Sequence, residues 1–355
     1  MKKVLVLFGG VSSEHDVSCV SASYVVNNIP RDKYEVCSVG ITKDGEWFLF
    51  EGDTSLMPED KWLDSGKCTR ALLSPDRKDR GIVVFRESGP EKIHIDVCFP
   101  VMHGKNGEDG TIQGLLELSG IPYVGCGVLA SSVCMDKAVT NTLADHAGIA
   151  QAKWLATDVN DYRENGAEFI KRAEAMLGYP IFVKPANAGS SVGITKAHDE
   201  NELREALEKA FSCDRKAVLE EFVDGFEVEC AVLGNYKPMA SCVGQIISCN
   251  EFYDYTAKYV SDSRLLIPAD IPEEKQNEVR SEAVKAFKTL GCSGLSRVDF
   301  FVRKSDGKVM FNEINTIPGF TSISMYSKLM EQSGVPYPKL LDKLFKLAAE
   351  IKEDK

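Results

Sequence analysis

The sequence has no CxxC pair, no HxxxH or HExxH spacing, and no run near the ~20 apolar residues that cross a bilayer. A zinc site built on Cys or His and a membrane-spanning helix are therefore not expected. The eleven cysteines are scattered and odd in number, as small buried thiols in a reducing compartment are, not as in a disulfide framework. Positive charge is in deficit: 42 Lys+Arg stand against 53 Asp+Glu, a net charge of −11. That balance argues against nucleic acid or a membrane surface as partner, while leaving room for a local basic pocket. The apolar stretch Val4–Phe8 stops at Gly9-Gly10, shorter than the core of a signal peptide, so a cytoplasmic protein is expected. Internal repeats and low-complexity linkers are also missing.

What is present is ordinary for a folded chain. The 355 residues are 44% hydrophobic and 27% charged, which excludes disorder and leaves length for two or three domains. Val4–Phe8 reads as a buried parallel strand. Ser13-x-x-Asp16 resembles a capping box opening a helix, and Tyr34–Ile41 reads as the next strand. This β-α-β start predicts an α/β layer with function at the carboxyl ends of its strands. Loops and edge strands are expected over 51–92, a strand over Ile93–Val101, a glycine-rich loop over Gly104–Gly110 and a short helix over Thr111–Leu118. Ser131–Gly148 and Asn165–Leu177 read as helices that end at glycine. Beyond them strands alternate with turns (Tyr179–Pro185, Val192–Lys196, Ala217–Phe222, Phe226–Leu233), as in an α+β unit. Leu340, Leu344, Leu347 and Ile351 mark a C-terminal helix docked on the body.

The strongest chemical signal is Arg297-Val298-Asp299 followed by Glu313-Ile314-Asn315, with the turn signal Ser305-Asp306-Gly307 between them. A regular hairpin about Asp306 sets Asp299 opposite Glu313 and Arg297 near Asn315. The period of two puts all four on one face. Adjacent carboxylates repel unless a positive charge lies between them. Two acids and an amide oxygen suit Mg²⁺, which keeps phosphate oxygens and water as its other ligands. The alternative is a solvated strand face with a salt bridge to Arg297. Lys184, at a strand end, leads into Pro185–Gly193, a small-residue loop whose N–H groups can approach phosphate. It matches neither the Walker pattern nor GxGxxG, and a plain hairpin loop remains open. Glu14 sits at a helix start, where the helix dipole alone would favour an acid. Phe252–Tyr259 reads either as a loop closing over ligand or as tyrosines anchoring a surface loop.

In order along the chain, GGVSSEHDVS (9–18), HGKNGEDGTIQGLLELSGIPYVG (103–125), MDK (135–137), GSSVG (189–193), EFYDYTAKY (251–259), SRVDFF (296–301) and NEINTIPGFT (312–321) resemble the D-alanine–D-alanine ligase family of ATP-grasp enzymes. GITKDGEW (40–47) also resembles the vancomycin-resistance branch that adds D-serine second. The resemblance implies an N-terminal pre-ATP-grasp α/β domain (1–130), a central ATP-grasp lobe (131–216) and a C-terminal lobe with lid and metal site (217–355). It implies ATP and two Mg²⁺, with Mn²⁺ as substitute, held by Asp299, Glu313 and Asn315. Lys137 and Lys184 would bind the nucleotide's phosphate oxygens, and Ser191, Lys258 and Asn312 would also bind the cofactor. Glu220, Glu221 and Val223 would line the adenine site and Glu227 the ribose. Glu14 would take the first D-alanine's ammonium, in a hydrogen-bonded set with Ser190 and Tyr259. Arg297 and the Gly319 amide would stabilise the tetrahedral oxyanion. His103, Lys258, Ser324 and Met325 would surround the second amino acid, with D-alanine expected there and D-serine as the alternative. A homodimer is expected.

Overall fold

The computed structural model describes residues 1–247 and 264–353. The first sheet contains β1 (Lys2–Gly9), β2 (Tyr34–Ile41), β3 (Trp47–Phe50), β4 (Cys68–Leu73), β5 (Gly81–Arg86), β6 (Gly89–His94) and β7 (Val97–Pro100). Its order is β6-β5-β4-β3-β2-β1-β7. Only β2-β1-β7 run parallel. The other four strands add on antiparallel, so the expected parallel layer is the central part of a mixed sheet. The continuous apolar run of β1, with Val4–Phe8 at zero exposure, fits burial on both faces. The expected strand over Ile93–Val101 is split: β6 ends at His94 and β7 begins at Val97.

Helix α1 (His15–Asn28) follows β1, but Ser13 does not cap it. Ser12 instead accepts the Glu14 N–H at 3.1 Å. After α2 (Thr111–Ser119), the helix expected over 131–148 is two, α3 (Val128–Met135) and α4 (Lys137–His146). Asp136 breaks the path because its carboxylate caps α4, accepting from the Ala138 and Val139 N–H groups.

The second sheet has the order β10 (Thr195–Ala197), β9 (Ile181–Pro185), β11 (Lys216–Glu221), β8 (Trp154–Asp158), all antiparallel. Helices α5 (Val159–Leu177) and α6 (Glu200–Cys213) share its core. The third sheet runs β14 (Arg264–Leu266), β13 (Met239–Ile247), β12 (Gly225–Gly234), β15 (Gly294–Arg303), β16 (Val309–Asn315), again antiparallel. Helix α7 (Glu273–Thr289) packs on it, and α8 (Met325–Gln332) and α9 (Tyr337–Glu353) close the chain. The C-terminal helices pack into the same core as β1, β7 and α1: Phe345 of α9 meets Phe99 edge-on at 6.4 Å and Tyr34 at 4.9 Å. Among the described residues no helix is long and apolar enough to cross a membrane.

Candidate active site

The hairpin β15–β16 pairs Arg297 with Asn315 and Asp299 with Glu313, as the turn and the period of two predict. A bulge intervenes: Phe300 pairs with Phe311, leaving Asn312 extra. Val298, Phe300 and Ile314 point the other way, into the core. The four polar residues thus share one face. Arg297 donates to Asp299 Oδ1 and Oδ2 at 2.8 and 2.7 Å and lies 3.0 Å from Glu229 Oε2. Asn315 Nδ2 donates to Asp299 at 3.1 Å. Burial opposes the Arg297 charge, but Asp299 and Glu229 outweigh it and hold the guanidinium protonated.

Two clefts meet at this hairpin, and Asn312 and Glu313 belong to the walls of both. One is lined by Lys184, Glu220, Glu221, Val223 and Glu227, with Phe182 and Phe311 as apolar walls. Lys184 Nζ lies 2.5 Å from Glu220 Oε2 and 3.4 Å from Asn312 Oδ1. Burial works against the ammonium, yet Glu220, Glu313 and Glu227 keep its pKa raised. The other cleft is lined by Glu14, His103, Lys137, Ser190, Arg297, Asn315 and Gly319. Ser191 borders both. Lys137 Nζ donates to Ala188 O at 2.8 Å, inside the loop after β9. Ser190 and Ser191 in that loop adopt φ of +49° and +59°, a left-handed conformation that side chains tolerate at a cost and that clusters at ligand sites.

Glu14 is 6% exposed and hydrogen-bonds the Ser190 hydroxyl. Two glycines let loops from distant parts of the chain close on its carboxylate. A Cβ at Gly104 would lie 2.3 Å from Glu14 Oε2, and one at Gly189 would lie 2.5 Å from it. His103 is buried; its Nδ1 faces Ile317 O at 3.1 Å and its Nε2 faces Ser21 Oγ at 3.0 Å. A carbonyl only accepts, so Nδ1 carries the proton and Nε2 accepts from Ser21. Burial lowers the His103 pKa, which favours that neutral form. Glu108 is a member of the site that no sequence pattern singled out. Its oxygens accept the Gly104 N–H at 2.7 Å and the Ile317 N–H at 3.2 Å. Burial, and secondarily Glu14, push its pKa up to about 8. The only clue was its place in the loop Gly104–Gly110.

Other expected residues fall elsewhere. Ser324 Oγ accepts the Thr321 N–H at 3.0 Å and lies 2.9 Å from where a Gly319 Cβ would sit. It braces the Gly319 turn and does not line the cleft. Met325 is buried in the core, its sulfur against Gly244. Lys258, Tyr259 and most of the expected lid lie outside the described residues.

Family models described as D-ala D-ala ligase N-terminus and D-ala D-ala ligase C-terminus match residues 3–126 and 143–346. The chain belongs to the D-alanine–D-alanine ligase family. The D-alanine–D-alanine ligase of Acetivibrio thermocellus is 52% identical to it, over 99% of this chain and 97% of that protein. Among solved structures, the VanG D-Ala:D-Ser ligase of Enterococcus faecalis superposes with a TM-score of 0.89 at 43% identity, covering 98% of this chain and 99% of that one. The D-alanine–D-alanine ligase of Coxiella burnetii gives 0.87 at 35% identity, covering 100% and 97%. The D-alanine–D-alanine ligase family has the ATP-grasp fold and uses ATP with a divalent metal ion.

Proposed function

We propose that this protein joins two D-alanines, converting ATP to ADP and phosphate and yielding the dipeptide used for peptidoglycan precursors. The observation that carries the reading is the wall shared by the two clefts: Asn312 and Glu313 border both a lysine-containing, partly apolar cleft and a smaller polar one. A phosphoryl donor in the first and a carboxylate in the second would meet there. In the first cleft, Glu220, Glu221 and Val223 take the adenine, Glu227 the ribose and Lys184 the phosphates, with Ser191 on the border and Lys137 reaching the same phosphates from the second cleft; Lys258 is a further nucleotide-binding residue. Glu14 holds the ammonium of the first D-alanine, backed by Ser190 and Tyr259. The carboxylate of that D-alanine receives the γ-phosphoryl group and becomes an acyl phosphate. The amine of the second D-alanine, placed by His103 and Lys258, attacks the acyl carbon in its neutral form. Phosphate then leaves with the bonding electron pair. Arg297 and the Gly319 N–H, both on the wall of the second cleft, would stabilise the oxygen that becomes negative, where preorganised donors contribute most.

The two carboxylates and one amide oxygen of Asp299, Glu313 and Asn315 form a hard oxygen set on one strand face, which fits two Mg²⁺, or Mn²⁺ in their place. Such ions would neutralise phosphate charge and orient the transferring group. We further propose three units (1–130, 131–216 and 217–355) and a homodimer working in the cytoplasm. A second reading, D-serine as second substrate, is favoured by the similarity to VanG. Ligation assays with ATP, Mg²⁺ and a mixture of D-alanine and D-serine test both. D-alanyl-D-alanine as main product is expected. D-alanyl-D-serine would establish the second reading, and no dipeptide at all would overturn the proposal.

A further inference from the structure

Behind the loop that carries Glu14, the buried His15 and the half-buried Asp60 form a pair that the reaction does not use. His15 is 2% exposed. Its Nδ1 lies 2.9 Å from Gly10 O and its Nε2 lies 3.0 Å from Asp60 Oδ1. Both partners are acceptors. Asp60 reaches this position from a backbone φ of +55°, a left-handed conformation that persists where surrounding contacts fix it. Those contacts are present. The same Oδ1 accepts from Trp62 Nε1 at 2.9 Å, and Lys43 Nζ lies 3.2 Å from Oδ2. Cys19 Sγ approaches Oδ1 at 3.9 Å. Burial works against the Asp60 charge, but hydrogen bonds from His15 and Lys43 outweigh it and lower its pKa. Trp62 is itself locked in the core, edge-on to Phe8 at 5.1 Å and to Phe50 at 6.2 Å.

The chain of contacts therefore runs from the core through Trp62 to Asp60, then to His15, then to the Gly10 carbonyl. Gly10 O also accepts the Ser12 N–H at 3.0 Å, and Ser12 Oγ accepts the Glu14 N–H and donates to His103 O at 2.9 Å. The turn 10–14 is thus held on one side by His15 and on the other by the His103 carbonyl, with further bonds from the Gly10 N–H to Ile41 O at 2.8 Å and from Asn106 Nδ2 to Val11 O at 3.3 Å. We propose that His15 and Asp60 are positioning residues for the Glu14 carboxylate, setting affinity for the amino acid at the first subsite. They act through the turn and do not touch the substrate.

This rests on the ligase reading, so the test separates the two. Asp60→Asn removes the charge at nearly constant shape; Asp60→Gly additionally relieves the left-handed backbone and guards against misfolding. Wild type and both variants are assayed with ATP while D-alanine is varied, so that the two D-alanine KM values are resolved. The expected result is a rise of about tenfold in the first-site KM, with kcat, the second-site KM and the ATP KM within about twofold of wild type. His15→Asn should reproduce the rise, and combining it with Asp60→Asn should add little, because both act through one contact. An unchanged first-site KM beside an active wild type overturns the positioning role. A uniform loss of all parameters with a lowered melting temperature also overturns it, by showing a purely structural pair. An inactive wild type overturns the ligase reading itself.

Discussion

Glu14 illustrates how little a single residue says. On its own it is an acid at a helix start, and the helix dipole would explain it. Its character comes from Gly104 and Gly189, which lie 90 and 175 residues away in loops that close on the same carboxylate. No local pattern carries that meeting, so neither the two glycines nor Glu108 was legible as a site residue, although the loops themselves were. The pairing of Glu14 with Ser190 followed from family resemblance alone. The geometry makes a direct prediction. Gly189→Ala places a methyl 2.5 Å from Glu14 Oε2, so the carboxylate or the loop must move. The first-site KM for D-alanine should rise by roughly tenfold while the ATP KM changes little. Isothermal titration with D-alanine gives an independent reading, and wild-type affinity would show that the loop accommodates the methyl elsewhere.

At the scale of elements, the hairpin β15–β16 was the most legible part, because a turn signal and the period of two together fix a register. The count about Asp306 gives the observed pairing at Asp299–Glu313, but the pairing nearer the turn is offset by the bulge at Asn312. That bulge turns Asn312 toward the wall shared by the two clefts, and nothing in the apolar pattern announces it. The split of α3 from α4 was hidden for the opposite reason: hydrophobic periodicity runs on through Asp136, whose capping role shows only in three dimensions. Asp136 Oδ1 accepts from Ala138 and Val139 at 3.1 and 3.2 Å, and Oδ2 pairs with Lys216 at 2.6 Å. Asp136→Ala should therefore cost about 1–2 kcal/mol of stability, the usual loss for such a cap. Because Lys137 is the first residue of α4, the ATP KM should rise as well. Urea unfolding and initial-rate kinetics read the two effects, and loss of stability with an unaltered ATP KM would detach Lys137 from the nucleotide.

The whole molecule is joined at its two ends. The N-terminal β1, β7 and α1 share one core with α8 and α9, and near the cleft Glu108 spans the same junction, from Gly104 to Ile317. Apolar periodicity in α9 announced a docked helix, but which sheet receives it depends on tertiary closure that one strand's pattern does not encode. Glu108 gives this junction a pH dependence. Its pKa rises from an ordinary 4.5 to about 8 in the folded protein, chiefly through burial and then through Glu14. Between those values the folded state holds a proton that the unfolded chain has released. The unfolding free energy therefore falls as pH rises across that window, and the contribution is present in full only below the lower value. Glu108→Gln cannot titrate, so its melting temperature should decline less than that of wild type from about pH 5 to pH 8, with the gap levelling off above. Any constant offset between the two proteins reflects the hydrogen bond that the amide cannot accept and does not bear on the slope. Parallel melting profiles across this range would show that Glu108 ionises in the folded protein as it does in the open chain, and that the junction carries no proton at neutral pH.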